Sequence, residues 1–516
     1  MQLNVSKLRV SKLRVSKLRA TLLAAALIAA LATPAAFATS RSGGPARAWF
    51  RVGAAKADIT PHSLTGVYLG GYGIGPVHPA GGVLRHIYAR AFAVADPAGH
   101  QVVIVALDVQ GYFYAYQNGP YGIADIDKDM AVRLHIPAAN ILIQSTHTHN
   151  GPDALGIWGG VPASYLAYIK AQTESAIEHA VAAERPAQLR WATADMTGFA
   201  GTFGSNSDST KTGDEADYPV DTQLRVLQAV SPQGQVTATL VNYNAHPTVY
   251  GPLDRVSPDW PGATATFLEH AEIGISPKVR YGYPGSVAVV TIGDVGHTWP
   301  AGTPRGTDPK VDPSPKSSNG PADIFGNAVA RMAMGALAGH PTYLSDPRVG
   351  ASESTLEVTN TNAALLALGM AKVPGYHILR ANTPPYGAID AYFTPAQALR
   401  IGDLPMFSSP GEPYPSIHTN LAHQVRAPVA FIFGLANDQL GYVESLSDYN
   451  GALQCSYSDE WFFTISPTFG DDLVRAQRSN AGRLGFTVTD PGPIANNSPG
   501  PVPPSTNCTQ QGIGQL

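Results

Sequence analysis

Cysteine is nearly absent: Cys455 and Cys508 are the only two in 516 residues. No disulfide framework can therefore hold the chain together, and its core has to come from apolar packing. Long apolar runs are missing too. Outside the N-terminal leader no segment reaches the roughly 20 residues that a membrane-spanning helix needs, so no transmembrane anchor is expected. A basic excess is also lacking. The leader holds six Lys and Arg and no acidic residue, which leaves 28 Lys+Arg against 38 Asp+Glu and a net charge of −10 beyond it. Such a surface argues against nucleic acid or an anionic membrane as partner.

Two glycine- or acid-rich stretches lack what would make them ligand loops. Asp125-Ile126-Asp127-Lys128-Asp129 opens like a calcium loop, but Met130 stands where its glycine belongs and Ile136 where its last carboxylate would close it. It reads as a helix start. Gly70 to Gly75 resembles a phosphate loop without the Lys-Ser/Thr pair or the following apolar helix. It reads as a tight turn lining a pocket.

What is present begins with the leader. Lys7, Arg9, Lys12, Arg14, Lys17 and Arg19 recur in a Ser-Lys-Leu-Arg repeat ahead of an alanine-rich run and Ala36-Phe37-Ala38. This is the pattern of a signal peptide over 1–38, cleaved after Ala38, and it predicts a secreted or periplasmic protein. A linker over 39–47, one domain over 48–485 and a proline-rich tail over 486–516 follow. Hydrophobic content of 44% is ample for a core. Strand patterns at 102–107, 140–144, 224–230, 236–243, 287–292, 399–407 and 429–433 alternate with helical patterns at 125–135, 163–183, 261–270 and 322–337. The fold class expected is α/β, with mixed sheets flanked by helices.

The chemistry centres on Ser145-Thr146-His147-Thr148-His149-Asn150-Gly151-Pro152, directly after an apolar strand. If the extended backbone continues, His147 and His149 face one side and converge. The pair reads either as the start of a metal site or as hydrogen-bonded histidines at a loop mouth. His246, Asp294 and Glu412 also follow apolar strands, and together they fit the donor set of a metallohydrolase.

These pieces, with Ala55-Lys56-Ala57-Asp58-Ile59-Thr60-Pro61, Asn244-Ala245-His246-Pro247-Thr248, Ser257-Pro258-Asp259-Trp260-Pro261-Gly262 and Pro410-Gly411-Glu412, stand in an order that resembles the neutral/alkaline (non-lysosomal) ceramidase family. The resemblance implies a Zn2+ site of His147, His246, Glu412 and Tyr442, with His149 and Asp294 around a metal-activated water. It implies an amide or ester hydrolase acting on a small-molecule or lipid-like acyl substrate. Three features depart from the family. Gly296 occupies the place of the catalytic serine, beside His297, which becomes a candidate acid/base. An Asn-Arg pair is missing near 203–206. About 45 residues follow Gly470, where the family carries an immunoglobulin-like domain. A second reading is a non-catalytic, metal-stabilised binding protein.

In an exported chain Cys455 and Cys508 are expected to bond and tie the tail back, with two free thiols as the alternative. Mass spectrometry of non-reduced protein should find the linked peptides, and reduction should cost roughly 2–4 kcal/mol of stability. Two free thiols in freshly secreted protein would count against the bond.

Overall fold

The computed structural model describes residues 47–489 apart from 74, 117–118, 203–219, 271, 274–279, 301–319, 363–390 and 450–462. The leader, Cys455, Cys508, positions 203–206 and the tail beyond 489 lie outside the described residues.

Strands, several of them buried on both faces, dominate the chain up to residue 343. In order these are β1 (Phe50–Asp58), β2 (Tyr88–Ala95), β3 (Gln101–Leu107), β4 (Ile141–Ser145), β5 (Arg185–Asp195), β6 (Gln223–Val230), β7 (Val236–Tyr243), β8 (Val287–Ile292) and β9 (Thr342–Tyr343). They form one nine-stranded mixed sheet in the order β8-β7-β6-β5-β1-β2-β3-β4, with β9 also on β5. β3 and β4 run parallel, as do β7 and β8, and the remaining pairs are antiparallel.

Alternate side chains serve two cores. In β3, Val103, Val105 and Leu107 face α1 (Ile123–Leu134) and α2 (Ala163–Ala182), while Val102, Ile104 and Ala106 face the opposite side. In β8, Ala288, Val290 and Ile292 face α3 (Asp259–Glu269) and α4 (Pro321–Gly339), while Val289 joins the inner core with Leu142, Leu189, Leu227 and Leu240. Burial on both faces explains why these strands read as nearly unbroken apolar runs.

A second sheet follows. β10 (Val349–Thr359), β11 (Ala391–Ile401), β12 (Leu404–Ser408) and, after the short β13 (Glu412–Pro413), β14 (Phe431–Phe433) pair in the order β10-β11-β12-β14. α5 (Pro415–Gln424) and α6 (Phe469–Arg483) cover it. β15 (Tyr442–Val443) pairs with β13 in parallel. The expected strand over 399–407 is instead the tight end of the β11–β12 hairpin, which turns at Gly402 with φ +65°. After α6 the described residues contain one further two-residue strand, Thr487–Val488. No described helix is long and apolar enough to cross a membrane.

The main sheet curls until its end strands meet. Gln144 of β4, fully buried, donates from Nε2 to Ile292 O of β8 (2.5 Å) and to Gly434 O (2.6 Å), and its Oε1 accepts Ile292 N (3.3 Å). The segment after β14 completes the seam, with Gly434 N donating to Ile292 O and Ser145 N to Leu435 O. The carboxyl ends of β3, β4, β7 and β8 therefore open on one place. That is where α/β sheets position ligands.

Beyond β4 the chain is pinned by Asp153. Its buried carboxylate accepts the N–H groups of Gly156 (2.9 Å), Trp158 (2.6 Å) and Gly160 (2.8 Å). Burial pushes its pKa from 3.8 up to about 6 against the pull of those N–H groups. A carboxyl raised in this way stays protonated in the folded state between pH 4 and 6 after the unfolded chain has lost the proton. Stability therefore falls as pH rises through that window and levels off above it. Asp153→Asn should remove a decline of roughly 3 kcal/mol between pH 4 and 6, read from urea melts at several pH values. An unchanged slope in the variant would assign the dependence elsewhere.

Candidate metal centre

The sheet stops at Ser145, so the two histidines do not converge through the strand pleat, as the spacing alone suggests. His147 adopts a left-handed backbone conformation, φ +62°, and this turn brings its ring back onto that of His149. Their Nε2 atoms lie 3.1 Å apart. A non-glycine residue held in this region stores strain, which the surrounding bonds must offset. His147 N donates to Val109 O (3.0 Å) and Thr146 N to Leu107 O (2.7 Å), so the loop after β3 fixes the turn.

The remaining loops are stitched to one another. His149 N donates to Pro247 O (3.1 Å), His246 N to Thr298 O (3.1 Å), Gly296 N to Pro413 O (2.9 Å) and Glu412 N to Gly441 O (2.9 Å). Each of these bonds joins two segments that carry or flank a candidate ligand.

The ring nitrogens are set by their partners. Nδ1 of His147 donates to Gln110 O at 2.8 Å and Nδ1 of His246 to Thr298 O at 2.9 Å. A neutral imidazole that donates from Nδ1 keeps a lone pair on Nε2. Both Nε2 atoms point at Glu412 Oε2, at 3.4 Å and 3.2 Å respectively. Burial works against ionisation of Glu412, but the two facing rings of His147 and His246 outweigh it and hold the carboxyl well below the ordinary range. His147, His149 and His246 offer nitrogens that all lie within 4.8 Å of one another. Three imidazoles and a carboxylate, with carbonyls orienting two of the rings, match the chemistry of a zinc site and its supporting hydrogen bonds.

Tyr442 is the register partner of Glu412 in the β13–β15 pair, and is buried beside it. Asp294 goes elsewhere. Fully buried, it joins Asp221 and His418 in a second cluster, 3.6 Å from His418 Nδ1. Arg225 enters that cluster with Nη2 2.6 Å from Asp221 Oδ2 and 3.2 Å from His418 Nδ1. Burial and the Asp221 charge push the Asp294 carboxyl well up. A guanidinium already supplies the positive charge here, so this cluster suits a metal less well than the histidine cluster does. His297 is buried with φ +59°, its ring 5.8 Å from that of Tyr414 and nearly parallel to it, so it is not a solvent-facing loop residue.

Three further contributors were not among the expected site residues. Trp299 stacks on His246 at 4.5 Å and 9°. Gln439 donates from Nε2 to Glu412 Oε1 at 3.2 Å. Gly71, in the turn expected to line a pocket, sits against His149, where a Cβ would fall 2.3 Å from the ring. Trp299 follows His297 closely in sequence; nothing adjacent marks Gln439.

Residues 50–303 match the sequence model of the neutral/alkaline non-lysosomal ceramidase family, N-terminal part. The N-terminal region matches the neutral/alkaline ceramidase family. The crystal structure of a neutral ceramidase from Pseudomonas aeruginosa is similar, with TM-score 0.64 and 18% identity over 86% of this chain and 76% of that one. A structure described as ceramidase complexed with C2 is similar at TM-score 0.63, also at 18% identity and over the same shares. At this identity the likeness shows the fold. No curated protein matches the chain.

Gly296 has no room for a side chain. A Cβ there would lie 2.6 Å from Tyr414 Cδ1, 2.8 Å from Glu412 O and 2.9 Å from Pro413 C. Two of the three obstacles are backbone of the segment that carries Glu412, so a serine would have to displace a candidate ligand. Gly296→Ser should cost about 1–3 kcal/mol by overpacking and lower the metal content, measured by thermal denaturation and elemental analysis. A variant as stable and as metal-rich as the parent would show that the segment yields freely.

Proposed function

We propose that the protein is a metal-dependent hydrolase of an acyl amide or ester, with its reaction centre at His147, His149, His246 and Glu412. The observation that carries this reading is the convergence of two pre-oriented Nε2 lone pairs on one buried carboxylate. His147, His246, Glu412 and Tyr442 hold a zinc ion in this reading. Bound there, zinc supplies a Lewis acid that polarises a carbonyl and brings the pKa of a water toward neutrality.

In this reading His149 holds a proton at the reacting oxygen. Water adds to the carbonyl carbon, the carbon–nitrogen or carbon–oxygen bond breaks, and the proton taken from the water passes to the leaving amine or alcohol. Gly71 lets the backbone lie against the His149 ring and keeps it from turning away. Gly296 offers no hydroxyl, so no acyl-enzyme forms at that position. Asp294, set among Arg225, Asp221 and His418, supports the loop that carries Thr298 O and acts on the reaction only through it.

Purified protein should hold about one zinc per chain. His147→Ala and His246→Ala should weaken binding by more than the roughly 10–100-fold that losing a supporting hydrogen bond costs. Trp299 fluorescence should respond to metal addition, since its ring stacks on His246. A chelator should abolish hydrolysis of N-acyl amines, while a serine-reactive phosphonate leaves the protein unlabelled. Full metal occupancy in both alanine variants would end the assignment of this centre, and metal uptake with no hydrolysis of any acyl substrate would favour the binding-protein reading.

A further inference from the structure

Gln439 presents a feature that holding Glu412 does not use. Its Nε2 donates to Glu412 Oε1 at 3.2 Å, and this bond sets the orientation of the amide. Its own carbonyl oxygen, Oε1, is then committed to the other side of the group. That oxygen is buried and has no hydrogen-bond partner, and the residue is 7% exposed.

The side chain is also held firmly. Gln439 N donates to Asp438 Oδ1 at 3.0 Å, and Gln439 Cγ packs where a Cβ on Gly111 would come within 3.0 Å. Gly111 directly follows Gln110, whose carbonyl orients His147. A buried acceptor left without a donor is costly, and a rigid one beside a reaction centre is matched by a ligand that brings an N–H or O–H.

We propose that Gln439 determines substrate specificity: its Oε1 accepts the N–H of a secondary amide, so the centre discriminates against esters and N-alkylated amides. This rests on the reading of the centre as an acyl hydrolase. An ester places a lone-pair-bearing oxygen, and an N-methyl amide a methyl group, where the carbonyl of Gln439 requires a donor. Rejection of an analogue that leaves a polar group of the site unpaired is far stronger than rejection by shape alone. The two ends of one side chain thus have separate duties. Nε2 acts on every substrate through Glu412, whereas Oε1 acts only on substrates with an N–H.

The test compares three compounds with the same acyl chain: a secondary amide, its N-methyl counterpart and the matching ester. For the parent protein, kcat/KM should be roughly 10- to 100-fold higher for the secondary amide than for the N-methyl amide. Gln439→Met should lower the amide-to-ester ratio by a similar factor, whatever its common effect on both rates through Glu412. A readout without turnover uses metal-free protein in calorimetry, where the parent should bind the secondary amide about 10-fold more tightly than the N-methyl amide and Gln439→Met should bind the two alike. Equal losses on amide and ester in the variant would assign Oε1 to the attacking water and overturn the proposal. So would a parent protein that treats the two amides equally, which needs no variant to fold. Absence of metal-dependent hydrolysis for all three compounds would instead refute the hydrolase reading, and the calorimetric comparison would still decide the role of Gln439.

Discussion

A carboxylate buried between two imidazoles is the constraint on which this structure depends. Glu412 is 5% exposed, and a charge removed from water to that degree is tolerated only where opposite charge or strong donors face it. Gln439 donates to Glu412 from Nε2, while His147 and His246, each with its Nδ1 proton on a backbone carbonyl, turn Nε2 lone pairs toward it, an arrangement that a cation held among the three groups would satisfy. The carbonyls belong to Gln110 and Thr298, in loops after β3 and β8. The loops after β3, β4, β7 and β8 must therefore all be in place before the carboxylate is satisfied.

Closure of the main sheet delivers those loops to one point. Gln144 of β4 makes two hydrogen bonds to Ile292 of β8 and a third to Gly434 O, and Asn437 Oδ1 accepts one from Ile143 N at 2.9 Å. Buried amides are suited to this because one side chain both donates and accepts, bridging backbones that carry no mutual ladder. The same type of side chain recurs at the candidate metal centre, where Gln439 braces Glu412. The seam and the centre are thus built by one device, and the second sheet contributes through β14 and the segment that follows it.

Gly296 and its neighbours form one physical unit. Gly296 lies against Tyr414 and against the Glu412 and Pro413 backbone, and His297 stacks on Tyr414. Asp294, two residues before Gly296, meets His418 of α5, which starts just after Tyr414. The absence of a side chain at position 296 leaves the space that the Tyr414 ring fills. The loop after β8 is consequently a packed support for the candidate metal centre.

Much of the fold was legible as sequence because the strands of the main sheet are buried on both faces. The runs at 236–243 and 287–292 appear as β7 and β8 with the same bounds, and the helical spacing over 163–183 appears as α2. Where a strand is amphipathic or broken by proline, as in β10 and β11 with Pro395, the apolar signal fades, and the hairpin turn at Gly402 was read as part of a strand. His147, His149, His246 and Glu412 stood out because each follows an apolar strand, and strand ends converge in a sheet that closes. The sequence by itself determined the elements and the types of donor, since periodicity and residue chemistry are local properties. Tertiary structure alone decided that His147 turns through a left-handed conformation to meet His149, that Asp294 belongs with Arg225, and that Gln439 stands against Glu412. These depend on which loops touch across hundreds of residues, a matter settled by packing and by the demand that each buried charge and donor find a partner.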